Sequence, residues 1–335
     1  MVDLSKNESP YPASVRLRAR IAAGLGRIHE YPERIGERAQ VAAAARFGVE
    51  ADRLVLTRGI DDAVDQLIWR YREKHFFVVT PGFSGFVDRL ATSGLTYSSL
   101  VLDSAFRLPD TEIARLDIDS FILLASPNNP TGLRFHESEL EAVFKRCHGG
   151  LVDQTYADFT TTHLPRSLDR GNVYRYRSFS KGFALAGLRI GALMGTREDI
   201  AAIAGRQHYC HLDALSSHAV ICAATGDEFR ENVRAIIGQR RELADLLQRS
   251  GFDVLTGDTN FVLVQSNSAD ELVAFLKVQG LLVKDTAQMG LPGYIRISVA
   301  TRENHAKLLQ AMNSFKSRGA TTAIGIEPTQ CRRTG

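Results

Sequence analysis

Between residues 53 and 181 short apolar runs rich in β-branched and aromatic residues alternate with helical patterns, and most of these runs stop at a polar exit. "RLVLT" (53–57) leads through Arg58-Gly59 into "DDAVDQLIWRYRE", where Val64, Leu67, Ile68 and Tyr71 recur at the spacing of one helix face. "HFFVVTPGF" (75–83) reads as a buried strand halted at Pro81-Gly82, and "SGFVDRLATSG" as a helix. "LTYSSLVL" (95–102), "SFILLASPNNPTG" (120–132), "GGLVDQTY" (149–156) and "VYRYRSFSK" (173–181) continue the series, with the helix "ESELEAVFKRC" between the second and third. Strand, helix, strand, repeated, predicts an α/β fold: a mainly parallel sheet between helices. In such a sheet ligands gather beyond the carboxyl ends of the strands. The polar exits are therefore where a site belongs.

After about residue 196 the pattern changes to a mainly helical stretch from Arg197 to near Ser250. "NFVLVQS" (260–266), "ADELVAFLKVQG", "LLVKD", "YIRISVA" and "RENHAKLLQAMNSF" then predict a second, smaller α/β unit. The division read from these patterns is an N-terminal arm over 1–35, a large domain over 36–245, a small domain over 246–318 and a mobile tail over 319–335.

The strand exits bring different chemistry to one crevice. The run ending at residue 125 delivers "SPNNPTG" with Asn129. The next delivers Asp153 and Tyr156, and the one after it Ser178, Ser180 and Lys181. The exit at "TRGIDD" offers Gly59, Ile60 and Asp61 at a helix N-terminus, a setting suited to an anion. Within "RSFSKGFALAGLRIG" (177–191) Lys181 stands among hydroxyls and glycine, and Arg189 follows with a planar fork suited to phosphate. A lysine on a solvated helix face needs no such setting; one that forms a covalent bond beside a bound anion does.

The remaining composition narrows the partners. Lys and Arg total 41 against 38 Asp and Glu, a formal charge of +3 without a long basic run, so nothing argues for nucleic acid. No apolar run approaches a membrane span, and "MVDLSKNESPYP" lacks the apolar region of a secretory leader. Cys147, Cys210, Cys222 and Cys331 are scattered and read as reduced thiols of a cytoplasmic protein. "HYCH" (208–211) has no accompanying ligand cluster, so no metal is expected there.

"EYPER", "TRGIDDAV", "SPNNPTG", "SFSKGFALAGLRIG", "TNFVLV" and "YIRISVATRE" occur in the order found in fold-type I pyridoxal phosphate (PLP) enzymes. From Asn7 to about Glu303 the chain resembles the histidinol-phosphate aminotransferases within that group. The resemblance implies that Lys181 carries the cofactor covalently and later moves a proton, while Asp153 pairs with the pyridine nitrogen. Asn129 and Tyr156 would bond the ring oxygen, and Phe83 would stack on the ring. Gly59, Ile60, Asp61, Ser178, Ser180 and Arg189 would hold the phosphate, joined by Tyr31 from the neighbouring subunit of a homodimer. Arg296, Lys284, Asn7 and Tyr11 would face the substrate.

Three departures from the family pattern concern the substrate. "DQTY" replaces Asp-Glu-Ala-Tyr, Ile60 stands where a small residue is commoner, and Lys284 stands where an arginine is expected beside Arg296. The activity implied is transfer of an amino group from an amino acid, such as glutamate, to a carbonyl acceptor. A decarboxylase or lyase on the same scaffold, similar to threonine-phosphate decarboxylase, is the alternative, and a PLP-binding sensor without turnover is disfavoured because no DNA-binding domain precedes Asn7.

Overall fold

The structure, a computed structural model, describes residues 1–160 and 171–323. Its strands, in chain order, are β1 (Val2–Asp3), β2 (Leu54–Thr57), β3 (His75–Thr80), β4 (Tyr97–Val101), β5 (Ser120–Ala125), β6 (Gly149–Asp153) and β7 (Val173–Ser178). β8 (Gly191–Met194), β9 (Asp253–Thr256), β10 (Phe261–Gln265), β11 (Leu281–Leu282), β12 (Lys284–Asp285) and β13 (Tyr294–Ser298) follow.

Seven of these form one sheet in the order β2-β8-β7-β6-β5-β3-β4. The pairs from β4 through β3, β5 and β6 to β7 are all parallel. β8 runs antiparallel to both of its neighbours, β2 and β7. The sheet is thus mainly parallel, with one reversed strand that the sequence pattern does not pick out. "GALM" is a four-residue run buried throughout, without the alternation that marks a half-exposed strand. Consecutive residues of β3 serve opposite faces: Phe76 and Val78 join one core, Phe77 and Val79 another. Burial on both faces requires helices on both, and Gly59–Arg70 covers one with Ala63, Val64 and Leu67 while Glu137–Arg146 covers the other with Leu140 and Val143.

The second sheet, β12-β13-β10-β9, is antiparallel throughout. Its core gathers Val262, Val264, Ile295 and Ile297 with Leu272 and Leu308 from flanking helices, and Leu4 from the N-terminal segment joins it. That segment is anchored here because β1 pairs in parallel with β11. The helix Phe229–Arg249 buries Ile236 against Tyr156 and Phe261, and Leu243 and Leu247 in the core of the second sheet. Its buried residues recur at one-face spacing, which lets a single helix serve both. The C-terminal helix runs from Arg302 to Ala323, past the point where the sequence pattern fades. Residues 324–335 of the expected tail, Cys331 among them, lie outside the described residues.

Candidate active site

The carboxyl ends of β5, β6 and β7 and the N-terminus of the helix Gly59–Arg70 meet residues from the second sheet and from the N-terminal segment around a cavity of about 300 Å³. It is large enough for a small cofactor with part of a substrate. Asp153 ends β6 and is 5% exposed. The amide and hydroxyl of Thr155 both donate to its Oδ1, at 2.9 and 2.6 Å, and no described residue donates to Oδ2. Burial pushes this carboxyl up to about 6 despite the Thr155 bonds. A buried carboxylate with an unclaimed oxygen is a demand for a cationic donor.

Lys181 follows β7 and lines the same cavity. Its Nζ donates to the backbone carbonyl of Lys6 at 2.9 Å. Burial, with the Arg296 guanidinium adding to it, pushes the amine down to about 8. About a tenth of it is then neutral at pH 7, far more than of an ordinary lysine.

The far wall is polar and buried. Arg296, on β13, donates from Nη1 to Asn129 Oδ1 and from Nη2 to the Ser5 carbonyl, while its buried Nε has no partner among the described residues. Asn7 takes φ of 53°, a left-handed conformation that asparagine tolerates. Four hydrogen bonds hold it there. Its Nδ2 donates to the Tyr156 hydroxyl at 2.8 Å, Asn260 donates to its carbonyl, and it exchanges bonds with the Ser298 hydroxyl.

The anion end is built from backbone and hydroxyls. Gly59 has φ of 82°, and a Cβ there would come within 2.7 Å of Arg189 Nη2. Only glycine lets the helix N-terminus and the guanidinium approach this closely. Arg189 also lies 3.3 Å from Asp61 Oδ2, and the Ser180 amide donates to Ser178 Oγ at 3.0 Å. Phe83 and Ile60 add apolar surface.

The sequence profile of the family described as aminotransferase class I and II matches residues 1–312. The chain belongs to that family. A histidinol-phosphate aminotransferase of Bradyrhizobium diazoefficiens is 32% identical over 94% of this chain and 93% of its own. A Burkholderia pseudomallei structure assigned as an aminotransferase, with no stated substrate, is 36% identical, with a TM-score of 0.88 over 94% of this chain and 98% of that one. The histidinol-phosphate aminotransferase of Sinorhizobium meliloti in complex with pyridoxal-5'-phosphate shares the fold at a TM-score of 0.83 and 22% identity, over 95% of this chain and 91% of that one.

This aminotransferase uses PLP, and the cavity fits that group: a carboxylate oxygen at Asp153 that no described residue bonds, a depressed amine at Lys181, and a glycine-lined anion cup under Arg189. Asn7, Gly59, Ile60, Asp61, Phe83, Asn129, Asp153, Tyr156, Ser178, Ser180, Lys181, Arg189 and Arg296 all line it.

Tyr11 and Lys284, expected to face the substrate, do not line it, and Tyr31, expected to reach a second copy's cavity, does not line that of its own chain. Tyr31 is 82% exposed and lies beside Tyr209, ring centres 5.9 Å apart. Tyr11 packs against the Tyr156 and Phe261 cluster and accepts a hydrogen bond from Gln239. Lys284 sits opposite Arg296 in the β12–β13 register, one strand removed from the cavity wall. Conversely, Lys6, Thr155, Tyr176 and Ala186 line the cavity although nothing in the sequence singles them out. Thr155 is visible there only as the third letter of "DQTY". His211, in "HYCH", is bonded at 2.6 Å to Asp62 of the helix Gly59–Arg70.

Proposed function

We propose that this aminotransferase takes an amino group from glutamate and passes it to a carbonyl acceptor with an anionic end, of the type named for its histidinol-phosphate aminotransferase relatives. The observation that carries the reading is the pairing, in one buried cavity, of an amine depressed to about 8 with a carboxyl raised to about 6. Titrating groups pushed in opposite directions mark acid–base chemistry.

PLP supplies an electrophilic carbonyl and a ring that accepts an electron pair. Lys181 Nζ would hold the cofactor and, as a partly neutral amine, would serve as the base that moves a proton at the substrate carbon. Asp153 would meet the pyridine nitrogen, Asn129 and Tyr156 the ring oxygen, and Phe83 the apolar ring face. Gly59, Ile60, Asp61, Ser178, Ser180 and Arg189 would hold the phosphate, with Tyr31 reaching in from a second copy of the chain; its exposure supports that role. Arg296 would meet the anionic end of the substrate, and Asn7 would shape the wall around it. The active unit in this reading is a homodimer, each chain divided into an N-terminal arm 1–35, a large domain 36–245 and a small domain 246–318.

A cytoplasmic setting fits the free thiols of Cys147, Cys210 and Cys222, and no described helix is long and apolar enough to cross a membrane.

The test is the visible absorption of the purified, PLP-loaded protein as L-glutamate is added, followed by keto acids and by histidinol phosphate. Loss of the lysine-linked absorption with glutamate, and its return with a keto acid, supports transfer. Absorption that persists while carbon dioxide is released would overturn it in favour of decarboxylation.

A further inference from the structure

Asp158 lies behind the cavity wall, in the turn Ala157–Phe159 that follows the segment bearing Asp153, Thr155 and Tyr156. Its side chain is 7% exposed. Arg177, on β7 and four residues before Lys181, donates from Nη2 to Asp158 Oδ1 at 2.6 Å. The guanidinium also lies over the Phe47 ring, 4.8 Å from its centre. A buried carboxylate paired with a mostly covered guanidinium is expensive to break, because removing the guanidinium strands the carboxylate. The pair therefore fastens the segment after β6 to the last residues of β7.

The other carboxylate oxygen faces the residue next to the lysine. A Cβ placed on Gly182 would lie 2.5 Å from Asp158 Oδ2 and 2.7 Å from Asp158 Cβ. Asp158 thus occupies the space a side chain at 182 would fill, and the Lys181–Gly182 peptide is seated directly against it. Burial raises the Asp158 carboxyl, and Arg177 with Arg46 offsets that. Neither Asp158 nor Arg177 lines the cavity.

We propose that Asp158 is a positioning residue for Lys181: held by Arg177, its carboxylate fixes the Lys181–Gly182 peptide relative to Asp153, and so sets the distance between the amine and the ring-binding carboxylate. The inference rests on the role given to Lys181 above. Misplacement of a reacting group by about 1 Å costs roughly a hundredfold in rate, so a positioning defect acts on turnover before it acts on binding.

The experiment compares PLP-loaded wild type with Asp158→Asn, which keeps the shape and removes the charge, and with Arg177→Gln, which leaves the carboxylate in place but unpaired. Turnover and KM with L-glutamate, cofactor content, melting temperature, and the pH midpoint of the visible absorption are measured for each. The expected result is full cofactor content, a KM near the wild-type value, kcat lower by about ten- to a hundredfold, and a displaced absorption midpoint. An unchanged kcat and midpoint, with only the melting temperature lowered, would show a structural pair and overturn the proposal. If Asp158→Asn does not fold, Arg177→Gln is read by the same two criteria. Borohydride reduction of the wild type that labels a lysine other than Lys181 would overturn the underlying reading instead, an outcome distinct from unchanged kinetics in the variants.

Discussion

Arg296 and Asn129 share a buried hydrogen bond, guanidinium Nη1 to amide Oδ1, that joins β13 of the second sheet to the turn after β5 of the first. The family resemblance sets the two on different ligands, Asn129 on the ring oxygen and Arg296 on the substrate. Their contact means that one event is reported to both. In the proposed roles, an anion drawn to Arg296 would compete with Asn129 Oδ1 for the same donor and alter the hydrogen bonding of that amide.

Replacing Arg296 should therefore separate substrate binding from cofactor binding. Arg296→Gln keeps a donor but loses the charge, and a charge-assisted hydrogen bond contributes about 1.5–3 kcal/mol. The expected outcome is a rise in KM for the anionic substrate of about ten- to a hundredfold, with PLP affinity within a few-fold of wild type. Steady-state kinetics and a PLP titration check it. Equal losses in both would remove Arg296 from the substrate wall.

Asp153 should destabilise the cofactor-free chain at neutral pH. Its carboxyl sits at about 6 when folded against an ordinary value of 3.8. The folded chain thus binds the proton more tightly, and stability falls as pH rises through that window. The burden is at most about 3 kcal/mol above pH 6, since each pH unit separating the folded and unfolded titrations is worth about 1.4 kcal/mol. Without PLP, Asp153→Asn should melt several degrees above wild type at pH 7.5, the gap closing as pH falls toward 4, while its turnover with PLP collapses. Calorimetry of the cofactor-free proteins at a series of pH values decides it.

His305 should set an opposite slope. It is 2% exposed, accepts a hydrogen bond from the Ala300 amide at Nε2, and burial pushes it down to about 4 from 6.5. The unfolded chain then binds the extra proton, so stability is complete above about pH 6.5 and is lost as pH falls toward 4. A His305→Asn variant, which can still accept at that position, should show a flatter decline over this range in the same calorimetric series. A decline as steep as wild type would locate the acid sensitivity elsewhere.

Much of this is legible in local sequence because strand exits are local. Asp153 ends a strand whose hydrophobic run is plain, Gly59, Asn129 and Lys181 follow such strands within four residues, and a parallel sheet places all such ends on one edge. β8 is not legible. Its four residues are buried on both sides, and burial from two sides erases the period that marks a strand. Lys6 is hidden for another reason: its contribution is a backbone carbonyl offered to Lys181 from 175 positions away, and neither its side chain nor its neighbours carry that information. Tyr11 and Lys284 show the converse limit, since a resemblance supplies residue identities but not the face each presents within the chain.

The N-terminal segment has a consequence for biosynthesis. Ser5, Lys6 and Asn7 complete the site only by meeting residues as distant as Arg296 and Ser298, 291 positions along the chain. On the ribosome the first of these is made long before the last, so the segment waits without its partners while the large sheet assembles. Contacts of such range close late. A nascent chain would thus present Gly59, Lys181 and Arg189 early, and the Arg296 side of the cavity only when β13 has emerged.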